Sequence, residues 1–179
     1  PLQPVFNGAM HYIYRRRAQG VVAVAEHCRR FLISKNVPAA QIVTIHNGLA
    51  PRPHHARIPT RAEAGLAEDD FVIGVASRLD PIKGIKYLIE AFARVAEKHP
   101  QVRLLVLGRG TCEEQLKRQC ARLGVADRTR FVGYQKNVDA WHELFDVFAL
   151  PSLAECHSIG LLEAMRAGKA IVATTVGGN

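Results

Sequence analysis

The sequence has no long apolar segment and no recognisable metal-binding pattern. No apolar run approaches the roughly 18–20 residues that a membrane-spanning helix needs, and no signal peptide is visible. The cysteines form no C-x-x-C pair and have no metal-ligand spacing, and the eight histidines are scattered. We interpret the cysteines as reduced, buried or half-buried thiols: Cys28, Cys112, Cys120 and Cys156. The sequence therefore predicts neither a transmembrane segment nor a metal centre.

Acidic residues are scarce at the beginning of the chain. Residues 1–50 hold six Lys or Arg against one acid, a net charge of +5, whereas residues 51–70 carry −1 and residues 71–179 carry +4. The resulting net charge of +8 favours anionic partners such as nucleotides, phosphorylated acceptors, a lipid surface or nucleic acid. No RNA- or DNA-binding motif is present, so nucleic acid is not an expected partner.

The 179 residues are 48% hydrophobic and 22% charged, which is typical of a soluble globular protein with a real core. The chain begins with Pro1 rather than Met and stops at "VATTVGGN", in what reads as the loop after a strand. We expect both ends to be the ends of a fragment.

The first 70 residues read as a short α/β piece followed by a linker. An apolar strand over 20–24 leads to a helix over about 26–35, and "QIVTIHNGL" is a second strand closed by Asn47-Gly48. The following segment has three prolines and little apolar periodicity. We therefore predict a first domain remnant over 1–50, an interdomain linker over 51–70 and a second domain over 71–179.

From Phe71 onward, apolar strands alternate with helices. Helices are predicted at about 84–98, 112–123, 137–145 and 159–167, and Thr111 with Glu114 fits a capping box at the start of the second of these. Five near-continuous apolar strands alternating with four helices predict an α/β fold, a Rossmann-like doubly wound parallel sheet buried on both faces.

Ligands of such sheets bind outside the carboxyl ends of the strands. This rule selects five loops that are rich in Gly, Lys, Arg and Glu: 78–84, 108–111, 133–136, 151–160 and 176–179. In the first loop, Arg78 and Lys83 form a cation pair suited to a diphosphate, although a solvated charged loop explains them equally well.

Two glutamates, Glu155 and Glu163, lie eight positions apart around a predicted helix start. Ser158 fits its N-cap, and the free N–H groups of that helix end suit an anion. Glu155 then lies on the loop and Glu163 one turn inside the helix, so the two could bind different hydroxyls of one polyol ligand. An exposed helical residue is the alternative for Glu163.

Weaker signals lie elsewhere. Gly108-x-Gly110 with Glu113 lacks the third glycine of a dinucleotide fingerprint, which disfavours a dehydrogenase. Tyr134, close to Lys136, could stack on a base or simply pack at a strand end.

Taken together, the motifs resemble the donor-binding half of a family 4 glycosyltransferase, which has the GT-B fold, uses a nucleotide sugar and retains anomeric configuration. The resemblance rests on "GVASRLDPIKGIKYLIEAF", "LLVLGRG", "FVGYQ" and "LPSLAECHSIGLLEAMRAGKAIVATTVGGN", the last of which carries a Glu-x7-Glu pattern. "VVAVAEHCRRFL" and "IVTIHNGL" resemble the end of the acceptor-side domain and its crossing into the second domain.

The resemblance implies a role for each candidate residue. Arg78 and Lys83 would hold the diphosphate, Glu155 the sugar and Glu163 the ribose, with Glu155, Arg78 and Lys83 forming the catalytic set. The remaining substrate-binding candidates are backbone and base contacts: Gly108, Gly133, Tyr134, Ser158, Ile159 and Gly160. No metal or other cofactor is expected. The donor would be a UDP-, GDP- or ADP-sugar and the acceptor a carbohydrate or a lipid-linked molecule. The protein would be cytoplasmic, with association with an anionic membrane left open.

One segment departs from the family pattern. Where the family commonly has Glu-Gly-Phe-Gly, this chain has Glu155-Cys156-His157-Ser158. A non-catalytic nucleotide-binding module, a GT-B-fold phosphorylase and a sugar-nucleotide epimerase therefore remain alternatives. Because most of the acceptor domain is expected to lie outside this chain, the fragment alone is expected to be inactive.

Overall fold

The computed structural model describes residues 12–14, 16–51 and 57–179. Three parts of the chain lie outside the described residues: residues 1–11 and Arg15 of the predicted first domain remnant, and residues 52–56 of the predicted linker. Across the described ranges no helix is both long enough and apolar enough to cross a membrane.

A small α/β unit begins the described chain. Strands β1 (Val21–Ala23) and β2 (Ile42–Thr44) pair in parallel, with Val21 opposite Ile42, and helix α1 (Glu26–Ser34) lies between them in sequence. Val21, Ala23, Val37 and Ile42 are buried, and Leu32 and Ile33 of α1 pack against them. We call β1, α1 and β2 the first unit.

The second sheet has five parallel strands in the order β5-β4-β3-β6-β7. Their bounds are β3 Phe71–Ala76, β4 Val102–Leu107, β5 Thr129–Gly133, β6 Val147–Leu150 and β7 Ala170–Ala173. The intervening helices are α2 Ile85–Lys98, α3 Glu113–Arg122, α4 Val138–His142 and α5 Ile159–Arg166. The predicted α/β fold with a Rossmann-like parallel sheet is confirmed.

Helices cover the sheet on both faces because strand β4, near its centre, has apolar side chains pointing to both sides. Leu104 and Val106 of β4 pack with α2 and α3, whereas Leu105 and Leu107 face the opposite core with α5. All four leucine and valine side chains are at most 2% exposed. This two-sided burial leaves the strand ends as the place where polar loops can form a site.

Two details of the helices differ from the sequence prediction. Helix α3 begins at Glu113 after Cys112, and the predicted capping box is wrong: Thr111 instead donates to Asp80 Oδ1 at 3.5 Å. Helix α4 ends at His142 rather than near residue 145, because Phe145 turns into the core. The ring of Phe145 fills the space that a side chain on Gly74 would occupy.

Part of the predicted linker packs against the larger sheet. Ala64 and Leu66 are buried with Val72 in the second core, and Asp70 pairs with Arg103 at 3.1 Å. The domain boundaries themselves stay predictions.

Candidate functional site

The strand order of the larger sheet reverses direction at β3. The chain adds β4 and β5 on one side of β3 and then places β6 and β7 on the other. In open parallel sheets, ligands bind in the crevice at this reversal, outside the carboxyl ends of the strands. The loops that follow β3 and β6, which begin at Ser77 and Pro151, border that crevice.

A pocket of about 280 Å³ opens at this edge of the sheet. Residues from the ends of β3, β4 and β5 and from the first half of α5 line it. Six sequence-predicted residues are among them: Arg78, Gly108, Tyr134, Ile159, Gly160 and Glu163. Residues far apart in sequence are therefore brought around one cavity that has cationic, aromatic and acidic side chains.

Tight main-chain packing shapes the floor of the pocket. Gly108 has φ +126°, a conformation that side chains rarely adopt, and a Cβ there would overlap the carbonyl oxygen of Ser77. The loops after β3 and β4 therefore touch backbone to backbone. Arg78, which follows Ser77, keeps an exposed guanidinium that pairs with Asp80 at 2.7 Å.

Glu163 is the half-buried acid of the pocket. Burial raises the pKa of its carboxyl, the negative charge of Asp139 raises it further, and Arg166 opposes both. Arg166 in turn forms an ion pair with Asp139. A carboxylate in such a place is a strong acceptor for ligand hydroxyl groups, because binding them replaces its lost hydration.

Lys83 and Glu155 form a second polar cluster, outside the lining of the pocket. Lys83 Nζ lies 2.6 Å from Glu155 Oε1, and their side chains are only 18% and 9% exposed. The fully buried Ser152 donates its hydroxyl to the same oxygen at 2.7 Å. Lys83, which is 72 positions away in sequence, thus holds Glu155 in a fixed orientation.

The start of α5 supplies backbone donors. Ser158 is its N-cap, as predicted, and its hydroxyl accepts from the N–H of Leu161 at 3.3 Å. Ile159 and Gly160 form the first turn and line the pocket. The positive end of the helix dipole therefore points toward the cavity, where an anion would be stabilised.

The family model for glycosyl transferases group 1 matches residues 57–179, more than half of the chain. This chain belongs to that family. The predicted resemblance to GT-B glycosyltransferases is thereby confirmed.

Named relatives of this glycosyltransferase family member come from archaea and bacteria. An uncharacterised glycosyltransferase of Methanocaldococcus jannaschii is 32% identical over 180 residues, covering 95% of this chain and 46% of the relative. A D-inositol 3-phosphate glycosyltransferase of Streptomyces scabiei is 31% identical over 153 residues, covering 77% of this chain and 34% of the relative. The chain thus spans less than half the length of these relatives.

Solved structures of glycosyltransferases share the fold. HepE of Anabaena, crystallised with UDP and glucose, superposes with a TM-score of 0.85 at 29% identity, covering 95% of this chain and 48% of HepE. Both the first unit and the larger sheet therefore lie within the matched region.

The structure separates the sequence-predicted residues into those that line the pocket and those that do not. Four of them lie outside the lining of the 280 Å³ pocket: Lys83, Gly133, Glu155 and Ser158. Gly133 is nevertheless close to it, because a Cβ on Gly133 would lie 3.5 Å from the side chain of Arg109, which lines the pocket. The roles assigned to both groups stay predictions. In the part of the chain that the structure describes, no three His, Cys, Asp or Glu side chains are grouped as a metal ion would require.

The strand-end rule selected loops that contribute to the lining of this pocket, but it did not single out every residue on them. Arg109 and Gln135 also line the pocket, next to the predicted Gly108 and Tyr134. Both stand in loops that follow strand ends, so the position rule alone was a signal for them. Gln135 is held in place by a 2.7 Å bond from its side-chain amide to the carbonyl of Val132.

Proposed function

We propose that residues 71–179 form the nucleotide-sugar-binding domain of a retaining glycosyltransferase. In this proposal residues 1–50 end its acceptor-side domain and residues 51–70 connect the two. One observation carries the proposal: Arg78, Tyr134 and Glu163 line a single pocket at the carboxyl edge of the sheet, where the strand order reverses.

The lining of the pocket fits a nucleoside diphosphate. Glu163 would accept hydrogen bonds from the ribose, and the exposed ring of Tyr134 would lie beside the base. Arg78 and the N–H groups at the start of α5 would hold the phosphates, since both present positive charge to the same cavity. The bound nucleotide would then extend across the pocket, with its base beside Tyr134 and its phosphates beside Arg78 and the start of α5.

The Lys83–Glu155 cluster fits the other end of a nucleotide sugar. Departure of a nucleoside diphosphate builds negative charge, which Lys83, Arg78 and backbone N–H groups would stabilise. The sugar becomes more positive as that bond breaks, and the Glu155 carboxylate would tolerate this charge. Lys83 Nζ and Glu155 Oε1 are 2.6 Å apart, so Lys83 could stabilise the departing phosphate while Glu155 stabilises the sugar at the other end of the same breaking bond. On this scheme no metal ion is needed.

The donor class and acceptor are also proposals. Because HepE, at 29% identity, was crystallised with UDP and glucose, a UDP-sugar is the first donor to test. The +5 charge of residues 1–50 supports an anionic acceptor, such as a phosphorylated carbohydrate or a lipid-linked molecule, at the cytoplasmic side of a membrane.

Calorimetric titration of the chain with UDP, GDP, ADP and UDP-glucose tests the proposal. One nucleotide is expected to bind at micromolar to millimolar concentration. Arg78→Met and Glu163→Gln should each weaken it by about 10- to 100-fold, because each removes a charge-assisted hydrogen bond. Arg118→Met and Glu97→Gln, at exposed positions on α3 and α2, are the matched controls.

Two results would contradict the proposal. No binding of any nucleotide by the folded chain would remove its basis, and so would equal losses in the site variants and their controls. Donor binding without sugar transfer by the longer protein would instead favour a non-catalytic nucleotide-binding module.

A further inference from the structure

The chain segment that follows β2 makes a two-point contact with the loop that carries Glu155. The backbone N–H of Asn47 donates to Nδ1 of His157 at 3.1 Å. The side-chain amide of Asn47 donates to the carbonyl oxygen of His157 at 3.0 Å. Both bonds are partly buried and span 110 residues of sequence, so one asparagine holds both the ring and the backbone of His157.

The neighbour of Asn47 connects this contact to the first unit. Nδ1 of His46 lies 3.2 Å from the carbonyl oxygen of Val24, which directly follows β1. The rings of His46 and His157 lie 5.3 Å apart between centroids, at an angle of 53°. His46 and Asn47 together therefore connect the residue that follows β1 to His157.

A second contact lies one residue earlier in the loop. Burial, followed by the neighbouring Cys156, raises the pKa of the Cys28 thiol on α1 to about 11. A Cβ on Gly178 would lie 2.7 Å from the Cβ of Ala25 and would overlap the carbonyl oxygen of Cys156. Gly178 thus packs between the N-cap residue of α1, Ala25, and the loop that carries Cys156.

Cys156 and His157 are two of the three residues at which the chain departs from the Glu-Gly-Phe-Gly pattern; the third is the helix N-cap, Ser158. Each has a neighbour in the residues that precede the larger sheet: Cys156 lies beside Cys28, and His157 accepts from Asn47. The departure therefore belongs to an intramolecular interface and needs no loss of function to explain it.

We propose that Asn47, acting through His157, is a positioning residue for Glu155, so that the first unit controls how tightly the donor sugar is held. This inference rests on the proposed function, in which Glu155 contacts the sugar. Glu155 stands two residues before His157, and Glu163, on the second turn of α5, contacts the nucleoside instead. Loss of the Asn47 contact should therefore weaken binding of the sugar and spare the nucleotide.

The chemistry of the contact provides a rescue experiment. Only an unprotonated Nδ1 can accept the N–H of Asn47. His157→Asn keeps an acceptor oxygen at nearly the same position as Nδ1, whereas His157→Phe keeps the ring shape without any acceptor. His99→Phe is the matched control, because His99 is exposed and lies before β4, at the opposite edge of the sheet.

The experiment measures dissociation constants for UDP and UDP-glucose with the wild-type chain and each variant. Asn47→Ala and His157→Phe are expected to weaken UDP-glucose by about 5- to 10-fold, the effect of losing one or two hydrogen bonds, with UDP changed less than about twofold. His157→Asn should restore most of the loss, and His99→Phe should match the wild type.

The outcomes separate the inference from the proposed function. Wild-type protein that binds neither compound counts against the proposed function. An unchanged affinity for UDP-glucose in Glu155→Gln contradicts the sugar contact of Glu155 and, with it, the inference. Equal losses for UDP and UDP-glucose in Asn47→Ala overturn the inference alone. Amide hydrogen exchange at residues 155–158 provides a test that needs no ligand. Faster exchange is expected in Asn47→Ala and in His157→Phe, and unchanged exchange would overturn the inference.

Discussion

Replacing Lys83 with methionine is expected to destabilise the fold by about 3 kcal/mol. Lys83 and Glu155 are 2.6 Å apart with side chains 18% and 9% exposed. At an effective dielectric constant of roughly 20, that separation corresponds to about 6 kcal/mol of attraction before desolvation is subtracted. Removing one partner of a buried pair costs about 3–5 kcal/mol, and the remaining exposure of Lys83 places this pair at the lower limit.

Urea denaturation of Lys83→Met, Glu155→Gln and the double variant measures this cost. The double variant should recover much of the loss, because a neutral Gln at position 155 needs no cation and can still accept from Ser152. In a thermal scan, a loss of 3 kcal/mol corresponds to a Tm lower by about 6–12 °C. Lys117→Met is the control: Lys117 contacts Glu113 at 2.9 Å but is 42% exposed, so a loss below about 1 kcal/mol is expected.

The buried-pair reasoning would be refuted if Lys83→Met cost no more than Lys117→Met. It would also be refuted if the effects of Lys83→Met and Glu155→Gln were simply additive, because two side chains that interact strongly must show a coupling energy.

Three further predictions concern single residues. Because the pKa of Glu163 is raised in the folded protein, its protonated carboxyl contributes to the free energy of unfolding at low pH. This contribution is lost as the pH rises through the folded-state pKa. Glu163→Gln should therefore be more stable than wild type near pH 7 but not near pH 4, and denaturation curves with no such pH dependence would contradict this. Gly177→Ala should cost about 2 kcal/mol or more, since φ is +61° and the Cβ would overlap a carbonyl oxygen; Gly168→Ala, at φ +66° in open space, should cost only about 1 kcal/mol. The exposed Cys156 should react with a thiol reagent at least about tenfold faster than Cys28, whose pKa is raised to about 11 by burial. Peptide mass mapping would show this, and equal rates would count against it.

The parallel sheet could be predicted from sequence because its strands are continuous apolar runs separated by helical patterns. Helix α5 could be placed to within a residue, since Ser158 is a good N-cap and acts as one. The end of α4 could not, because Phe145 leaves the helix to fill a space in the core that only the folded sheet defines.

The location of the candidate site could be predicted from the sequence, but the side-chain contacts within it could not. The strand-end rule selected the loop of Arg78 and the loop that leads into α5, the helix of Glu163; Arg78 and Glu163 line one pocket. The pairing of Lys83 with Glu155 joins residues 72 apart, and no local pattern encodes such a distance. The same holds for Asn47 and His157, which are 110 residues apart.

Amide chemical-shift mapping during a titration with UDP tests the location of the site most directly. The predicted result is that shifts concentrate at the carboxyl edge of the sheet, at Gly108, Gln135 and Gly160 above all, and leave His99 and Gln101 at the opposite edge unchanged. Shifts confined to that opposite edge, or none at saturating nucleotide, would contradict a nucleotide site at the point where the strand order reverses.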